Sequence, residues 1–497
     1  MQRRYLVPLI AGIVIFWAVM TGLLLKREAF IPRLTPDRMA GAGYSDVPTD
    51  TWMAIKLSDG KQVGYVNVRT EPESRDGAPG TSLSVLGRVR LSLFGDSSEM
   101  IAMGETWVSR AEGVRDFTFN IRSSGHEVDV RGAVDGGVLR AEVATAGESY
   151  PIELPIDKNL RLTSGIGFNT VSFPALEPGD TFQMDTFDPI TLSTSQAKIS
   201  CTGVDTVEIM GEQVTARVVT IDSSGIATRA WISENGEVLR AETPVGFLIE
   251  RVRQEDALGN LDTAGSGDSL GQLAAVRATG AKPFRGAKRM TVAIKSDKGT
   301  STIPQDDTQS ILSENQLAIQ SQDPPSVRES AAIASDEHKM YLAGDPFIQV
   351  DSPRIREQAQ RIVGGVEDDW NKALRLHEWV YDSIEKAPVL SVPSALDVLE
   401  KKKGDCNEHT VLYTALARAS GIPTRIAIGV VWSEEYEAFY YHAWPEVFIG
   451  RWIWMDPTLG QPIADATHIK LLTGGIENWW QLVPYLGTLE IHIAAIE

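Results

Sequence analysis

Hydrophobic and polar residues alternate with a period of two through much of the first half of the chain. Met53, Ile55 and Leu57 share one face of such a segment, and the turn dipeptide Asp59–Gly60 follows them. Strict alternation is typical of strands that have one buried face and one face in water. The pattern therefore predicts an antiparallel, β-rich region over residues 51–253.

Two further turn dipeptides in this region predict β-hairpins. They are Asp135–Gly136 and Asn235–Gly236, and each precedes the same pentapeptide, Val-Leu-Arg-Ala-Glu, at 138–142 and 238–242. Dipeptides of this kind favour the tight turns that join antiparallel strands. The recurrence raises an internal duplication as an alternative to chance similarity, and the sequence leaves both open.

A helical period replaces the alternation from about residue 347 onward. Helices are predicted over 353–363, 368–384 and 406–419, because apolar residues recur every three or four positions. Gly421 and Pro423 end the third helix in the usual order of a C-terminal cap. Strands are predicted at 424–432, 444–449 and 451–455. Residues 254–344, rich in small and polar residues, are interpreted as a linker with a small strand-bearing subdomain.

The N-terminus carries a membrane signal. Tyr5 to Leu25 is uncharged and mostly apolar, which is long enough for a helix to span the hydrocarbon core of a bilayer. No cleavage site of small residues follows closely, so an uncleaved signal anchor is preferred to a cleaved signal peptide. Basic residues on both sides of the span are nearly balanced and do not settle its orientation. A single span before a large body favours an extracytoplasmic location, periplasmic or cell-surface, for most of the chain.

Composition narrows the possible functions. The chain has 497 residues, of which 43% are hydrophobic and 23% charged, and its net charge is −19. These proportions are those of a globular protein with two or three domains. The excess of acidic residues argues against a nucleic-acid partner, since phosphates require clustered Lys and Arg.

The two cysteines have different settings. Two cysteines in so long a chain are no disulfide framework. Cys201 lies in a strand-like segment and is interpreted as a buried packing residue. Cys406 begins a predicted helix, and His442 and Asp456 follow on later apolar segments. This is an order that a nucleophile, a base and an orienting acid can use.

Two features of the Cys406 segment predict an activated thiol. Unpaired N–H groups at a helix start and an imidazolium at His442 would lower the pKa of the thiol to roughly 3.5–7.5. The backbone N–H of Cys406 is a candidate oxyanion donor. Asp405 opposes activation unless it points away and caps the helix. His409 is a rival base, but it projects from a different face of the helix, so His442 is preferred.

Four segments together resemble the transglutaminase-like superfamily, in its bacterial, papain-like branch. The resemblance covers about residues 345–485 and rests on Gly404–Cys406, Ala419–Arg425, His442–Val447 and Trp454–Thr458. It implies a papain-like α+β domain in which the Cys406 helix packs on an antiparallel sheet. It also implies that Cys406 is the nucleophile, His442 the base and Asp456 the orienting acid.

Two neighbouring observations qualify the resemblance. Asn407 follows the nucleophile where animal transglutaminases have Trp, and no matching calcium sites are found, so no cofactor or metal is expected. Ala464–Ile469 also resembles a stretch that is common downstream in such proteins, and a structural role is assigned to it.

The predicted fold class is α+β, with an N-terminal transmembrane helix, an antiparallel β-rich region and a transglutaminase-like domain. The predicted boundaries are 1–27 for the anchor, 28–50 for a tether, 51–253 for one β-rich domain or a duplicated pair, 254–344 for the linker with its small subdomain, and 345–497 for the catalytic domain.

The predicted function is a membrane-anchored, Cys-dependent acyl-transfer enzyme. It would act on amide bonds of a protein or peptide through a thioester, by hydrolysis or by transglutaminase-type transfer. Two alternatives remain. One is an inert, transglutaminase-like scaffold whose β-rich region carries the function. The other is a metal site formed by Cys406, His409 and His442.

Overall fold

The computed structural model describes most of the chain after its N-terminal segment. The described residues are 47–93, 96–156, 161–162, 173, 176–223, 226–244, 246–259, 271, 274–296, 302–326, 336–389, 391–475, 478, 481–482 and 485–497. In these ranges, no helix is both long and apolar enough to cross a membrane. The predicted anchor, Tyr5 to Leu25, lies outside the described residues.

Fifteen strands of the first half form one sheet, as the alternation predicts. They are β1 Thr49–Lys56, β2 Gln62–Arg75, β3 Ala78–Leu93, β4 Asp96–Ser109, β5 Gly113–Ser123, β6 His126–Asp135, β7 Val138–Thr145, β8 Glu148–Pro155, β9 Arg161–Leu162, β10 Thr181–Asp188, β11 Ser193–Ile209, β12 Glu212–Ser223, β13 Ile226–Ile232, β14 Val238–Glu242 and β15 Leu248–Val252. The three predicted hairpins are confirmed as the β1–β2, β6–β7 and β13–β14 turns.

The order of the strands joins two meanders side by side. The sheet runs from β8 back to β1, then β15 back to β9, so β1 and β15 pair in its middle, with Ile55 opposite Ile249. Within this sheet, all described pairs are antiparallel except β9 with β10. The two pentapeptides occupy β7 and β14, the second-last strand of each meander. Duplication stays a prediction, although this placement is what it would produce.

The sheet is curved, and its concave side is packed with apolar residues. Phe187 of β10 contacts Phe117 of β5, with 5.7 Å between ring centroids, although the two strands lie far apart in the order of the sheet. Phe347 and Val392, from the second half of the chain, are buried in the same cluster. The second half therefore packs directly against the sheet.

A second sheet combines strands of the middle segment with the last strand of the chain. Its order is β17-β27-β18-β20-β19. The bounds are β17 Ala278–Gly280, β18 Arg289–Lys295, β19 Gln309–Ser313, β20 Gln316–Gln320 and β27 Glu490–Ile496. The chain end thus returns to the segment predicted as a linker, a long-range pairing that no local pattern signals. The domain boundaries themselves stay predictions.

The remaining helices and strands lie mostly in the last third of the chain, where the strands form a third sheet and a separate pair, β21 with β22. The helices are α1 Gln254–Gly259, α2 Asp336–Lys339, α3 Pro353–Val363, α4 Asp369–Ser383, α5 Ala395–Lys401 and α6 Cys406–Ala419, with a short 3₁₀ helix at Met340–Leu342. The remaining strands are β16 Ala275–Val276, β21 Glu385–Lys386, β22 Lys403–Gly404, β23 Thr424–Ser433, β24 Ala438–Phe448, β25 Trp452–Trp454 and β26 His468–Thr473.

The three long predicted helices are confirmed as α3, α4 and α6. The N-cap of α4 is Asp368 and its C-cap is Ile384, so the predicted helix included both caps. Strand β24 starts at Ala438, six residues before the predicted start, because it pairs along its whole length with β23. Helix α6 lies in the middle of the domain and is buried along most of its length against α3, α4, α5 and the β23–β24 pair.

Candidate active site

Helix α6 begins at Cys406 because Asp405, just before the helix, and Glu408, in its first turn, form a complete capping box. The Asp405 carboxylate accepts a hydrogen bond from the backbone N–H of Asn407 at 2.9 Å. The Glu408 side chain in turn accepts the backbone N–H of Asp405 at 2.9 Å. Such reciprocal bonds satisfy N–H groups that a helix start leaves unpaired. The expectation that Asp405 caps the helix is therefore confirmed.

Cys406 lies against strand β24 at Ala443, the residue after His442. The backbone N–H of Ala443 hydrogen-bonds to the Cys406 sulfur. One turn further along α6, the Thr410 hydroxyl donates to the carbonyl of Ala443 at 3.0 Å. These two contacts fix the start of the helix on the strand residue that follows His442.

His442 and Asp456 are in direct contact, as the predicted order of the site requires. Nε2 of His442 lies 2.8 Å from Oδ2 of Asp456, and both side chains are buried. His442 sits in β24 opposite Gly429 of β23. Because Nε2 is held by Asp456, Nδ1 is the ring nitrogen left for another partner.

The Asp456 carboxylate is held on both of its oxygens. It follows β25, and Oδ1 accepts the backbone N–H groups of Thr458 and Leu459 at 2.8 and 2.9 Å. Oδ2 accepts His442 and also Nε2 of His468, at 3.0 Å. A carboxylate with four donors has a fixed orientation and a strong preference for the charged form.

His468 is the functional candidate that the sequence reasoning missed. The stretch 464–469 received only a structural role, yet His468 is fully buried at the start of β26 and touches the site carboxylate. Its Nδ1 lies 3.1 Å from the carbonyl oxygen of Asp465 and 3.4 Å from that residue's Oδ1. The available signal was a histidine on a buried strand in a chain that has only seven.

Two other histidines surround the site without joining the carboxylate. His377 of α4 places Nε2 3.0 Å from the backbone oxygen of Asp456. His409, the rival base, places Nδ1 2.7 Å from the backbone oxygen of Asp405. Burial lowers the pKa of His377, and it lowers that of His409 to about 4, so both rings are neutral near pH 7.

The electrostatics at Cys406 contradict the expectation of a thiol pKa lowered by the helix start. Burial is the largest cause, and with the charge of Asp405 it raises the pKa of Cys406 well above its ordinary value, although the Ala443 N–H works in the opposite direction. Burial and Asp405 also raise the pKa of Glu408 well above its ordinary value. The resting group at Cys406 is therefore a thiol.

Asp456 and His468, in contrast, are both held in their charged forms. Burial by itself would raise the pKa of Asp456, but the charge and hydrogen bond of His442 and the hydrogen bond of His468 hold it well below its ordinary value. Burial opposes charge on His468, but its bonds to Asp456 and Asp465 raise the pKa of this imidazole to about 9. An anionic Asp456 therefore lies between the ring of His442 and the imidazolium of His468.

The donor atoms of His442, Asp456 and His468 lie within 4.8 Å of one another, a spacing that a metal ion can use. The ring nitrogens already hydrogen-bond to the carboxylate, and these bonds account for the positions of all three groups. The metal site considered from the sequence combined Cys406, His409 and His442. Within the described ranges, those three do not form a group of that kind.

Comparison with known proteins gives one family match. Residues 356–457 match the family model of the transglutaminase-like superfamily. The comparison with curated proteins finds no match.

Three solved structures are among the similar ones. A candidate cysteine protease from Cytophaga hutchinsonii has 17% identity, covers 42% of this chain and 86% of its own, and has a TM-score of 0.31. A β-barrel-like protein of a domain of unknown function from Brucella abortus has 13% identity, covers 42% of this chain and 96% of its own, and has a TM-score of 0.31. A candidate protease from Parabacteroides distasonis has 9% identity, covers 55% of this chain and 65% of its own, and has a TM-score of 0.18.

At these TM-scores the three structures bear on neither the fold nor the function of this chain. The family match is of a different kind, because its range contains Cys406, His442 and Asp456 within one stretch of sequence. Residues 356–457 therefore lie in a transglutaminase-like domain.

Proposed function

We propose that this protein is a Cys-dependent acyl-transfer enzyme in which Cys406 is the nucleophile, His442 the base and Asp456 the orienting acid. One observation carries the proposal. The His442–Asp456 hydrogen bond engages Nε2 and lies directly beside the strand residue that contacts the Cys406 sulfur. A nucleophile, a base and a group that orients the base are the parts that such chemistry needs.

The reaction would proceed in two steps through a thioester. As the Cys406 sulfur bonds to the carbonyl carbon of an amide, His442 takes the thiol proton through Nδ1. The C–N bond then breaks, and His442 returns the proton to the departing amine or ammonia. In the second step water or an amine attacks the thioester while His442 accepts its proton, and the thiol is restored as an acid or a new amide leaves.

The raised pKa of Cys406 gives His442 its importance in this scheme. A thiol that holds its proton at neutral pH is a weak nucleophile, since the thiolate is the reactive form. Transfer of the proton to His442 is favoured by Asp456, whose charge stabilises the imidazolium. The backbone N–H of Cys406, at the helix start, is the proposed donor to the oxyanion.

The substrate and the location of the enzyme are part of the same proposal. A protein or peptide amide is the substrate class that this chemistry fits, and hydrolysis and amine transfer remain equal candidates for the second step. The apolar segment at 5–25 supports a membrane anchor with the body of the chain in an extracytoplasmic space.

A second candidate function is supported by one observation. The raised pKa of the Cys406 thiol is what an inert, transglutaminase-like scaffold would also show. In that case the β-rich sheet would carry the function, and the contacts of His442 would be structural.

Alkylation by iodoacetamide separates the two. The full-length chain is treated across pH 5 to 10, and labelling of Cys406 is quantified by mass spectrometry. Below pH 8, the wild-type chain is expected to react faster than a His442→Ala variant, because only the former can transfer the thiol proton. In the variant the thiol should titrate above the ordinary value of about 8.5, because burial and Asp405 remain.

The chain supplies its own reference in this experiment. Cys201 is buried in the β-rich sheet, and its pKa is raised by burial, so its labelling reports unfolding and not activation. Identical profiles for the wild type and His442→Ala, with Cys201 protected in both, would favour the inert scaffold.

Product analysis distinguishes the two acceptors. A glutamine-containing peptide is supplied with a fluorescent primary amine, and amine incorporation, ammonia release and peptide cleavage are followed separately. Replacement of His442 by Ala is expected to reduce whichever product forms by roughly 100-fold or more, the usual contribution of general acid–base catalysis.

A further inference from the structure

His468 contacts the candidate site through Asp456 alone. Its Nε2 shares Oδ2 of Asp456 with Nε2 of His442, at 3.0 and 2.8 Å, and the two imidazole rings lie 5.9 Å apart. The edge of His468 faces the ring of Trp444, 5.1 Å away, and its side chain is fully buried. A second histidine on the same carboxylate oxygen is not required to orient His442.

Both ring nitrogens of His468 face acceptors. Nε2 faces the Asp456 carboxylate, and Nδ1 faces the carbonyl oxygen and the carboxylate of Asp465. A neutral imidazole has only one N–H, so this environment favours the doubly protonated, cationic ring. The raised pKa of His468, about 9, agrees with the geometry, although burial acts against it.

The carboxylate of Asp465 is itself held as an anion. It accepts the backbone N–H groups of Gly286 and Thr467 at 2.8 and 2.9 Å, and the amide of Gln461 at 2.6 Å. Hydrogen bonds from His468 and Thr467 outweigh burial and keep the pKa of Asp465 below its ordinary value. His468 thus lies between two buried carboxylates, which lowers the cost of its own buried charge.

We propose that His468 is a positioning residue whose fixed positive charge on Asp456 sets the pH range over which Cys406 and His442 exchange a proton. The proposal rests on the function proposed above for Cys406, His442 and Asp456.

The physical effect follows from the shared oxygen. Without a second cation, the buried Asp456 charge would act undiminished on the groups around it. The same charge already disfavours a thiolate at Cys406. A cation at His468 partly neutralises Asp456, so it favours the thiolate and lowers the pKa of the thiol at Cys406. The thiolate of Cys406 therefore forms at a lower pH than it otherwise would.

The other titratable groups around the site interact with Asp456 only through its charge or its backbone, and in the described residues they donate no hydrogen bond to its carboxylate. Asp405 and Glu408 face Cys406 from α6, and Lys386 of β21 acts on His409. His377 of α4 contacts the backbone oxygen of Asp456 and the backbone of Gln461. In the described part of the chain, the titratable donors to the Asp456 carboxylate are His442 and His468.

The test is the pH profile of Cys406 alkylation by iodoacetamide in full-length His468→Gln. The amide of glutamine can still donate to Asp456, so the variant removes the charge and keeps a donor. The rise of Cys406 alkylation with pH is expected to move to higher pH by about 1 unit, the lower end of the effect of a nearby opposite charge. His377→Gln is the matched control, because it replaces a buried, neutral histidine that also contacts Asp456. Its pH profile of Cys406 alkylation should match that of the wild type.

The outcomes separate the two proposals. A wild-type alkylation profile that does not differ from that of His442→Ala would contradict the proposed function. A normal wild-type profile that is unchanged in His468→Gln, with Cys201 protected, would overturn the role of His468 and leave the function intact.

A measurement without substitution at His468 covers the case in which the variant does not fold. The chain with His442→Ala is labelled with ¹⁵N-histidine, and the protonation of its remaining rings is followed by NMR. One ring with both nitrogens protonated at pH 8 is expected. Absence of any such ring at pH 8 would overturn the proposal.

Discussion

Asp405 has two opposing effects at the residue scale. Its carboxylate caps helix α6 and so fixes where Cys406 lies, but its charge is the second cause, after burial, of the raised thiol pKa. Capping requires only an acceptor oxygen, whereas the effect on the thiol requires the charge. The two roles can therefore be separated by a change that keeps the oxygen.

Asp405→Asn is expected to lower the pKa of the Cys406 thiol while the helix start remains in place. Asparagine is as good an N-cap residue as aspartate. Alkylation of Cys406 by iodoacetamide at pH 7 should be faster than in the wild type, in the His442→Ala background, where proton transfer to the base is removed. Slower or equal alkylation in this background would mean that the Asp405 charge does not reach the sulfur.

His468 predicts how the stability of the protein depends on pH. Its pKa rises from an ordinary 6.5 to about 9 in the folded chain, so its contribution is complete below pH 6.5 and is lost as the pH rises through 9. The contribution is at most about 3 kcal/mol. The free energy of unfolding of the wild type should therefore exceed that of His468→Gln by an amount that shrinks between pH 6.5 and 9.5.

His377→Gln serves as the control for this pH dependence. Burial lowers the pKa of His377, so its own linkage to stability lies below pH 6.5. The difference between wild type and His377→Gln should be flat from pH 6.5 to 9.5. A difference for His468→Gln that is equally flat would show that His468 is not charged in the folded protein.

At the scale of elements, the start of helix α6 depends on the strand before it. Gly404 ends the short strand β22, which pairs in parallel with β21. Ser391, in the segment between β21 and α5, donates to Glu408 at 2.6 Å and so supports the capping box. The position of Cys406 is therefore set by several short segments and not by the helix alone.

Gly404→Ala is expected to displace the capping box. A Cβ at this position would lie 2.2 Å from Cβ and 2.3 Å from Cγ of Glu408, which are atoms near the helix backbone and cannot move away freely. The loss of stability should be about 1–3 kcal/mol, the usual cost of overpacking. It would be measured by urea unfolding, and the proposed activity should fall with it.

Gly203→Ala is the matched control for this substitution. A Cβ on Gly203, in β11, has no atom within 4 Å. Its stability should stay close to that of the wild type. An equal cost for both substitutions would mean that the contact with Glu408 is unimportant.

At the scale of the whole molecule, the curved sheet and the transglutaminase-like domain share a buried interface. His126 of β6 pairs with Asp397 of α5, and both side chains are buried. Ser352, the N-cap of α3, donates to Glu148 of β8 at 2.9 Å. Phe347 adds an apolar contact, because its ring is buried among residues of the sheet. The sheet therefore supports the helices that hold α6.

A second contact ties the middle segment to the site domain. The buried amine of Lys470 in β26 lies 2.5 Å from Oε1 of Glu446 and also contacts Asp306. Arg425 pairs with Glu446 from the neighbouring strand. Two cations and two anions balance in this cluster, as buried charges require. It fixes residue 306 of the middle segment against β23, β24 and β26.

Phe347→Ala is expected to weaken both parts of the molecule together. Phe347 is buried among residues of the sheet, and removal of such a ring costs about 3–5 kcal/mol. Urea unfolding can be followed by thiol labelling, because Cys201 reports on the sheet and Cys406 on the transglutaminase-like domain. Both thiols should become accessible at a lower urea concentration than in the wild type.

Phe284→Ala is the control, since that ring is largely exposed. A shift for Cys406 alone in Phe347→Ala would mean that the sheet and the domain unfold separately. A shift no larger than that of the control would mean that the interface contributes little.

The sequence predicted those parts of the fold that local patterns specify. Alternation gave the strands of the first half, and apolar spacing with its caps gave α3, α4 and α6, because burial of one face of an element leaves a periodic trace. It did not predict that β27 returns to pair with β18, or that β1 and β15 join two meanders, because pairing partners far apart in sequence leave no such trace.

The candidate site was likewise predicted only in part. The order of Cys406, His442 and Asp456 was apparent in the chain because short motifs carry it, and the cap at Asp405 follows from local geometry. The sign of the pKa shift at Cys406 was predicted wrongly, because burial and the Asp405 charge outweigh the helix start. His468 was missed because only the folded sheet brings β26 to Asp456. The sequence by itself determined which groups are present and which elements carry them. The tertiary structure decided their charges and partners, because desolvation and contact depend on what lies nearby in space and not on what is adjacent in the chain.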